Sequence, residues 1–296
     1  MIINQQNLAA LFTGYKAAFN TGFRTSEKYW DKLATMVPSS SSVELYAWLG
    51  QFPGMREWIG DRVIKSMEAH NYSIRNKPFE SSIGVDRDNI EDDSYGIFNP
   101  MFQEMGYAAA THPDQLIFAL LQAGFTTACY DGQYFFDVDH PVKNSDGSTT
   151  SVSNMQDGNN NPWFLMDTRR PLKPLIFQKR RDYAFTSMTS MQDEAVFMRK
   201  EYRYGVDARC NVGFGFWQQA FGSKDQLGPA QYNDGYDRMM SFQSDEGRPL
   251  GIKPNLLVVG PSNRENANLI ANAEIINATT NTNRGLTDVL VVPWLK

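Results

Sequence analysis

A chain of 296 residues can bury roughly 75% of its unfolded surface, enough for one large domain or two moderate ones with a sizeable core. Its composition, 42% hydrophobic, 13% aromatic and 21% charged, excludes intrinsic disorder, and no apolar run reaches the ~20 residues of a membrane-spanning helix. A net charge of -5 excludes a global basic field that would draw the protein onto nucleic acid or an anionic membrane, though it leaves room for a local basic patch.

Asn7 to Phe19 places Leu8, Leu11, Phe12, Tyr15 and Phe19 at helical spacing and predicts a short amphipathic helix. From Thr21 to Ser42, Trp30, Leu33 and Met36 are scattered ahead of four serines starting at Ser39, which suits an arm lying on another surface better than a core element. Between Tyr46 and Val85 the apolar residues come in short groups such as Trp58-Ile59 and Val63-Ile64, separated by charges of both signs. Tyr72 and Ile74 share one parity, and Phe79, Ile83 and Val85 share the other beyond the turn signal Asn76-Lys77-Pro78, which predicts paired strands. A solvent-reaching hairpin is the simplest reading, and an ordinary surface hairpin of a compact domain fits the pattern equally.

Pro100 after Asn99 marks a helix start, and Met101, Phe102, Met105, Ala108 and Ala109 keep helical spacing after it. Pro113 interrupts that pattern before Leu116, Ile117, Leu120 and Leu121 resume it, giving one kinked helix or two abutting ones ended by Gly124. Lys143 to Asn161 is rich in Ser, Thr, Asn, Gly and Asp and predicts an exposed, mobile loop. Leu175-Ile176-Phe177 and the stretch from Val196 to Phe216 read as strands, with Gly205, Gly213 and Gly215 marking bends or close backbone approach. Leu256–Val259 as a buried strand, Asn263–Asn272 as a helix and Val289–Val292 as a strand predict a mixed sheet flanked by helices.

Asp131, Asp137, Asp139 and His140 form the strongest set for chemistry, because carboxylates and an imidazole ligate divalent metals. Beside Pro141 the same side chains make turn hydrogen bonds, and that structural duty outweighs metal binding. The other histidines, His70 and His112, add little to a catalytic inventory. Neither Cys129 nor Cys210 has a CxxC partner, and with no leader-like N-terminus both are expected to be buried free thiols in a reducing cytoplasm. No GxSxG, phosphate loop or dinucleotide fingerprint occurs. Arg169-Arg170 and Lys179-Arg180-Arg181 flank the strand at Leu175, and the acidic balance favours ion pairs within or between subunits over nucleic-acid contact. Glu91-Asp92-Asp93 precedes the helix start, where the dipole favours negative charge. In an assembled shell Asp92 would instead meet Arg56, Arg62 or Lys65 of a neighbour, and these four residues are the candidate contacts between subunits.

Trp48-Leu49-Gly50-Gln51-Phe52-Pro53, Met67-Glu68-Ala69-His70, Phe102-Gln103-Glu104-Met105-Gly106, Tyr130-Asp131-Gly132-Gln133 and the run from Arg170 to Arg180 resemble the major head subunit family of Mu-like phages, the gpT family. Phe197-Met198-Arg199-Lys200-Glu201, Tyr204-Gly205-Val206 and Gly247 to Ile252 continue the resemblance in order, so that it covers nearly the whole chain. It implies an α+β fold, the tailed-phage capsid fold of the Hong Kong 97 type. By that resemblance residues 1–45 are an N-terminal arm and 46–85 an extended loop. Residues 86–235 are a peripheral domain with a spine helix at about Asn99 to Gly124 and part of the axial region, and 236–296 an axial segment. Pro113 departs from the continuous spine of such folds.

The implied function is a major capsid protein whose hexamers and pentamers tile an icosahedral head around double-stranded DNA, with arm and loop lying across neighbours over interfaces of ~2,000 Å² or more. No catalytic, cofactor or metal residues are expected. The expected partners are further copies of the chain, a portal, a separate scaffold and maturation protease, and DNA held by weak non-specific contact, with no membrane. The expected location is the virion, and the host cytoplasm during assembly. A metal-dependent hydrolase using Asp131, Asp137, Asp139 and His140, or a tail or decoration protein of the same virion, are the competing readings.

Overall fold

The apolar stripe of the N-terminal segment finds its partner within the same chain. The computed structural model describes residues 5–50, 71–92, 97–144, 146–276 and 278–295. In chain order its helices are α1 (Gln5–Thr25), α2 (Trp30–Leu33), α3 (Arg87–Asp92), α4 (Asn99–Ala123), α5 (Glu194–Arg199), α6 (Pro229–Ser241) and α7 (Arg264–Asn272). Its strands are β1 (Ala34–Pro38), β2 (Val43–Leu45), β3 (Ser73–Arg75), β4 (Lys77–Asp86), β5 (His140–Lys143), β6 (Thr149–Val152), β7 (Met155–Gln156), β8 (Trp163–Met166), β9 (Leu175–Met188), β10 (Glu201–Phe214), β11 (Ala220–Ser223), β12 (Leu256–Val259), β13 (Ile275–Ile276), β14 (Thr279–Thr280) and β15 (Asp288–Val291).

Strands β9 and β10, 14 residues each, form a long antiparallel ribbon, and β1 and β4 complete a four-stranded sheet in the order β1-β9-β10-β4. Along β10 the buried residues alternate as Tyr202, Tyr204, Val206, Ala208 and Cys210, so one face of the ribbon is apolar. Helices α1 and α4 cover that face, and Tyr15, Phe19, Phe102, Met105 and Ala109 meet Phe185, Tyr202, Tyr204 and Val206 in a core of their own. The rings are offset-stacked or edge-on, with Tyr15 stacked on Phe102 at 4.2 Å between centroids and edge-on to Tyr204 at 5.3 Å.

A second, larger core lies under the mixed sheet β15-β12-β8-β11-β7, where β12 is parallel to β15 and antiparallel to β8. Trp163 to Met166 and Leu256 to Val259 are buried at every position, as strands covered on both faces must be. From α6 come Tyr232 and Met239, and from α7 Ala267 and Ile270. Helix α4, about 37 Å long at 25 residues, threads both cores: Phe102, Met105 and Ala109 belong to the first, Ile117, Phe118 and Leu121 to the second. Burial at both ends explains why Pro113 leaves it a single helix. The ~3 kcal/mol that an interior proline costs is offset by side chains that a break would expose.

Five sequence expectations are corrected. Residues 5–38 are folded into the body, because α1 lies on α4, and β1 joins the sheet parallel to β9 from Ala34↔Leu175 to Pro38↔Lys179. Strands β3 and β4 do not pair with each other across Asn76: β3 pairs with β2, and β4 runs antiparallel to β10 from Lys77↔Cys210 to Asp86↔Glu201. The alternation was right for strands, but the partner of each lies far away in sequence. Residues 143–161 hold the β5–β6 hairpin and β7, since the Thr149-Thr150-Ser151-Val152 run is as suited to a strand as to a loop. Val196 to Arg199 is the end of α5 and not strand. The division at 235/236 falls inside α6, and the five-stranded sheet takes β7, β8 and β11 from before it.

Helices α1 and α4 touch backbone to backbone. A Cβ on Gly22 would lie 1.9 Å from the Gln103 carbonyl oxygen, and one on Gly106 would lie 2.0 Å from that of Phe19. Gly106→Ala therefore forces the helices apart and is expected to cost about 1–3 kcal/mol in urea denaturation. Gly14→Ala, at an exposed α1 position with nothing within 4 Å, is expected to be neutral or to stabilise by about 0.5–1 kcal/mol.

Candidate functional site

Residues 51–70 lie outside the described residues, but both of their flanks are anchored to one buried amide. Gln178 on β9 accepts from the Tyr46 hydroxyl (2.8 Å) and donates to the Ile74 carbonyl (3.1 Å) and to Asn76 Oδ1 (2.9 Å). Asn76, also buried, donates to Ser39 Oγ (2.7 Å) and the Ser41 carbonyl (2.9 Å). Three of the serines wrap Glu44, whose carboxylate takes the Ser39 hydroxyl and the Ser40 and Ser41 N–H groups at 2.8 to 2.9 Å. The Ser39 hydroxyl first, then the Ser41 and Ser40 N–H groups, hold Glu44 down to about 2. Burial, with Glu44 nearby, pushes the Tyr46 phenol up to about 12 and keeps it a donor. Trp48 sits edge-on between Tyr46 and Phe216, and Leu49 is fully buried beside them. The glycine close approach expected at Gly213 belongs here, because a Cβ would meet the Ile74 side chain at 2.3 Å and the Tyr72 hydroxyl at 2.9 Å.

At the far end of the ribbon the chain shows apolar surface. Helix α5 joins β9 to β10 and buries Ala195 and Val196, while Phe197 is 79% exposed and Met198 70%. Met188 at the end of β9 and Met191 on the connection are about half exposed, and Met191 Sδ lies 3.9 Å from Arg87 Nη1. This outward Phe-Met pair has no apolar cover among the described residues of the chain.

Of the metal-type set, Asp131 and His140 come together and Asp137 and Asp139 do not join them. His140 is fully buried, stacked on Trp217 at 4.0 Å between centroids, with Nδ1 2.7 Å from Asp131 Oδ2 and Nε2 3.2 Å from Asn154 Oδ1. Asn154 is oriented by its Nδ2 donating to the Phe135 carbonyl (2.8 Å) and its Oδ1 accepting from Asp137 N–H (2.9 Å), so Nε2 of His140 is the donor to it. Cys129 Sγ donates to Asp131 Oδ1 at 3.1 Å. Burial raises the Asp131 pKa, but the His140 hydrogen bond and charge, with help from Cys129 and the Gln133 N–H, outweigh it and hold the carboxyl below its usual range. Asp137 closes a turn by accepting from Tyr134 and Val138 N–H, and Asp139 is exposed beside it. Cys129 was legible as the residue two before Asp131, whereas nothing in the sequence pointed to Asn154.

A family model described as the Mu-like prophage major head subunit gpT matches residues 8–295. This chain belongs to that family. The major capsid protein of Escherichia phage Mu is 41% identical to it over 305 residues, spanning 100% of each chain. A chain from the procapsid of bacteriophage JBD30 superposes with a TM-score of 0.88 at 48% identity, over 99% of this chain and 100% of that one. A chain from the JBD30 capsid gives 0.79 at 34% identity over 99% of each. The fold is therefore the α+β tailed-phage capsid fold of the Hong Kong 97 type, and the protein is a structural subunit of a phage head.

Within this gpT subunit Arg56, Arg62, Lys65 and His70 lie outside the described residues, while Asp92 is exposed at the end of α3. Asp92 thus closes a separate short helix and does not lead directly into α4. Asp88 of α3 pairs with Lys200 at 3.0 Å. The basic clusters are largely taken up internally: Arg169 forks onto Asp167 (2.9 and 3.0 Å), Lys179 pairs with Asp182 (2.8 Å) and Arg181 with Asp207.

Gln178→Leu takes the Gln178 partner from the Tyr46 hydroxyl and from Asn76 Oδ1 in a buried place, and is expected to lower stability by about 1–3 kcal/mol in chemical denaturation. Because Glu44 falls from an unfolded value of 4.5 to about 2, its stabilisation is full above pH 4.5 and lost as pH falls towards 2. Wild type and Glu44→Gln are expected to differ in melting temperature at pH 6 and to converge on acidification over that window.

Proposed function

We propose that the subunit tiles an icosahedral head from hexamers and pentamers of itself and encloses double-stranded DNA. The observation that carries this is the uncovered Phe197 and Met198 on a folded helix, in a chain that matches shell subunits end to end. A second copy supplies the burial that α5 lacks. Arg56, Arg62 and Lys65 would meet acids such as Asp92 of a neighbouring subunit.

The role is mechanical and not enzymatic. Asp131 and His140 face each other in a buried pair, and Asp137 is spent on a turn. The net charge of -5 and the internally paired arginines suit a wall that touches DNA weakly. A portal, a separate scaffold and a maturation protease would act as other chains in the host cytoplasm.

Phe197→Asp with Met198→Asp is expected to leave circular dichroism and melting unchanged while closed shells vanish from negative-stain images. Shells of normal size and yield from that double variant would overturn the reading. Asp92→Lys is expected to weaken assembly at low salt, and unchanged assembly would remove Asp92 from the contact set.

A further inference from the structure

We propose that Cys129, Asp131 and His140 form a binding site for a thiolate-compatible divalent cation, of which zinc is the best match. Cys129 Sγ, an Asp131 oxygen and a His140 nitrogen lie within 4.8 Å of one another. The side chains come from a turn closed by the Cys129 N–H to Gln133 carbonyl bond (2.8 Å) and from the first residue of β5, so the backbone fixes two of the three only a few residues apart.

The hydrogen-bond inventory around His140 points to a cation. Asn154 Oδ1 claims the Nε2 proton, which leaves the Nδ1 lone pair aimed at a carboxylate 2.7 Å away. A lone pair facing an anion in a buried place is repulsive unless something positive lies between them. Either a second proton makes His140 an imidazolium, or a metal ion takes that place. A ligating imidazole that hands its other N–H to an outer carbonyl oxygen is the usual arrangement around zinc, and Asn154 has that position.

The exchange balances. With thiol, carboxylate and imidazolium the cluster is neutral, and with thiolate, carboxylate, neutral imidazole and a divalent ion it is neutral again. Two protons, one from Cys129 Sγ and one from His140 Nδ1, leave for each ion bound, so burial penalises neither form by net charge. Zinc bonds of roughly 2.0–2.3 Å put tetrahedral ligands about 3.3–3.8 Å apart. Cys129 Sγ lies 3.1 Å from Asp131 Oδ1 and His140 Nδ1 2.7 Å from Asp131 Oδ2, so an ion held between the three side chains faces both carboxylate oxygens and needs each of these gaps to widen by less than about an ångström. The Asp131 side chain, 7% exposed against 0% for His140, is the rim through which the ion enters and solvent completes the shell.

The test uses the full-length protein, treated with chelator and titrated with cobalt(II) and with zinc. The expected result is one ion per chain, a sulfur-to-cobalt charge-transfer band that zinc abolishes, two protons released per ion into weak buffer, and a higher melting temperature with zinc but not magnesium. Cys129→Ser should lose the band, and Cys210→Ser, the other buried thiol, should keep it. If Cys129→Ser does not fold, the wild-type titration decides alone. No band in wild type, a band that survives Cys129→Ser, or binding without proton release would overturn the proposal and leave His140 closed by a proton.

Discussion

Helix α4 is shared by two cores, and most of the architecture follows from that sharing. Its first half lies against α1 and the aromatic face of the β9–β10 ribbon, its second half against the five-stranded sheet. A helix so placed cannot move relative to one core without disturbing the other. Midway along it, buried Asp114 accepts from the Tyr29 and Trp30 N–H groups at 3.0 and 2.6 Å, so α4 also starts α2 and directs the chain into β1. The Gly22 and Gly106 contacts set the distance at which α1 lies.

Around this rigid centre the two ends of the same ribbon carry the anchored flanks of residues 51–70 and the uncovered face of α5. At one end, the Tyr46–Gln178–Asn76 network and the serine wrap on Glu44 hold both flanks of residues 51–70 to β9. At the other, α5 carries Phe197 and Met198 into solvent. Antiparallel strands of 14 residues make a lever about 45 Å long, so a small rotation at its base moves its tip by several ångströms. A subunit built in this way can keep its cores intact while the ends of the ribbon shift.

The candidate site was legible in part. Asp131 and His140 stood out by residue type, and their pairing was within reach because only nine positions separate them. Cys129 and Asn154 were not chosen with them, since a thiol reads as core and an asparagine in a Ser-Asn-rich stretch reads as loop. The Gln178 anchor was invisible for a stronger reason: its partners lie more than 100 residues away, and nothing local distinguishes a buried glutamine from a surface one.

By itself the sequence determined what depends on neighbours within a few residues. The helix from Asn99 with its Pro100 start, the buried strand Leu256–Val259, the α7 helix and the last strand follow from periodicity and caps, and the ordered run of segments from Trp48 to Ile252 marked the family. Only the tertiary structure decided which strands pair, whether Pro113 breaks α4, that the N-terminal helix folds back onto its own chain, and that the polar stretch after Lys143 supplies the second strand of a hairpin. Those outcomes rest on burial supplied by distant residues, a free energy larger than local propensity and one that no short window of sequence contains.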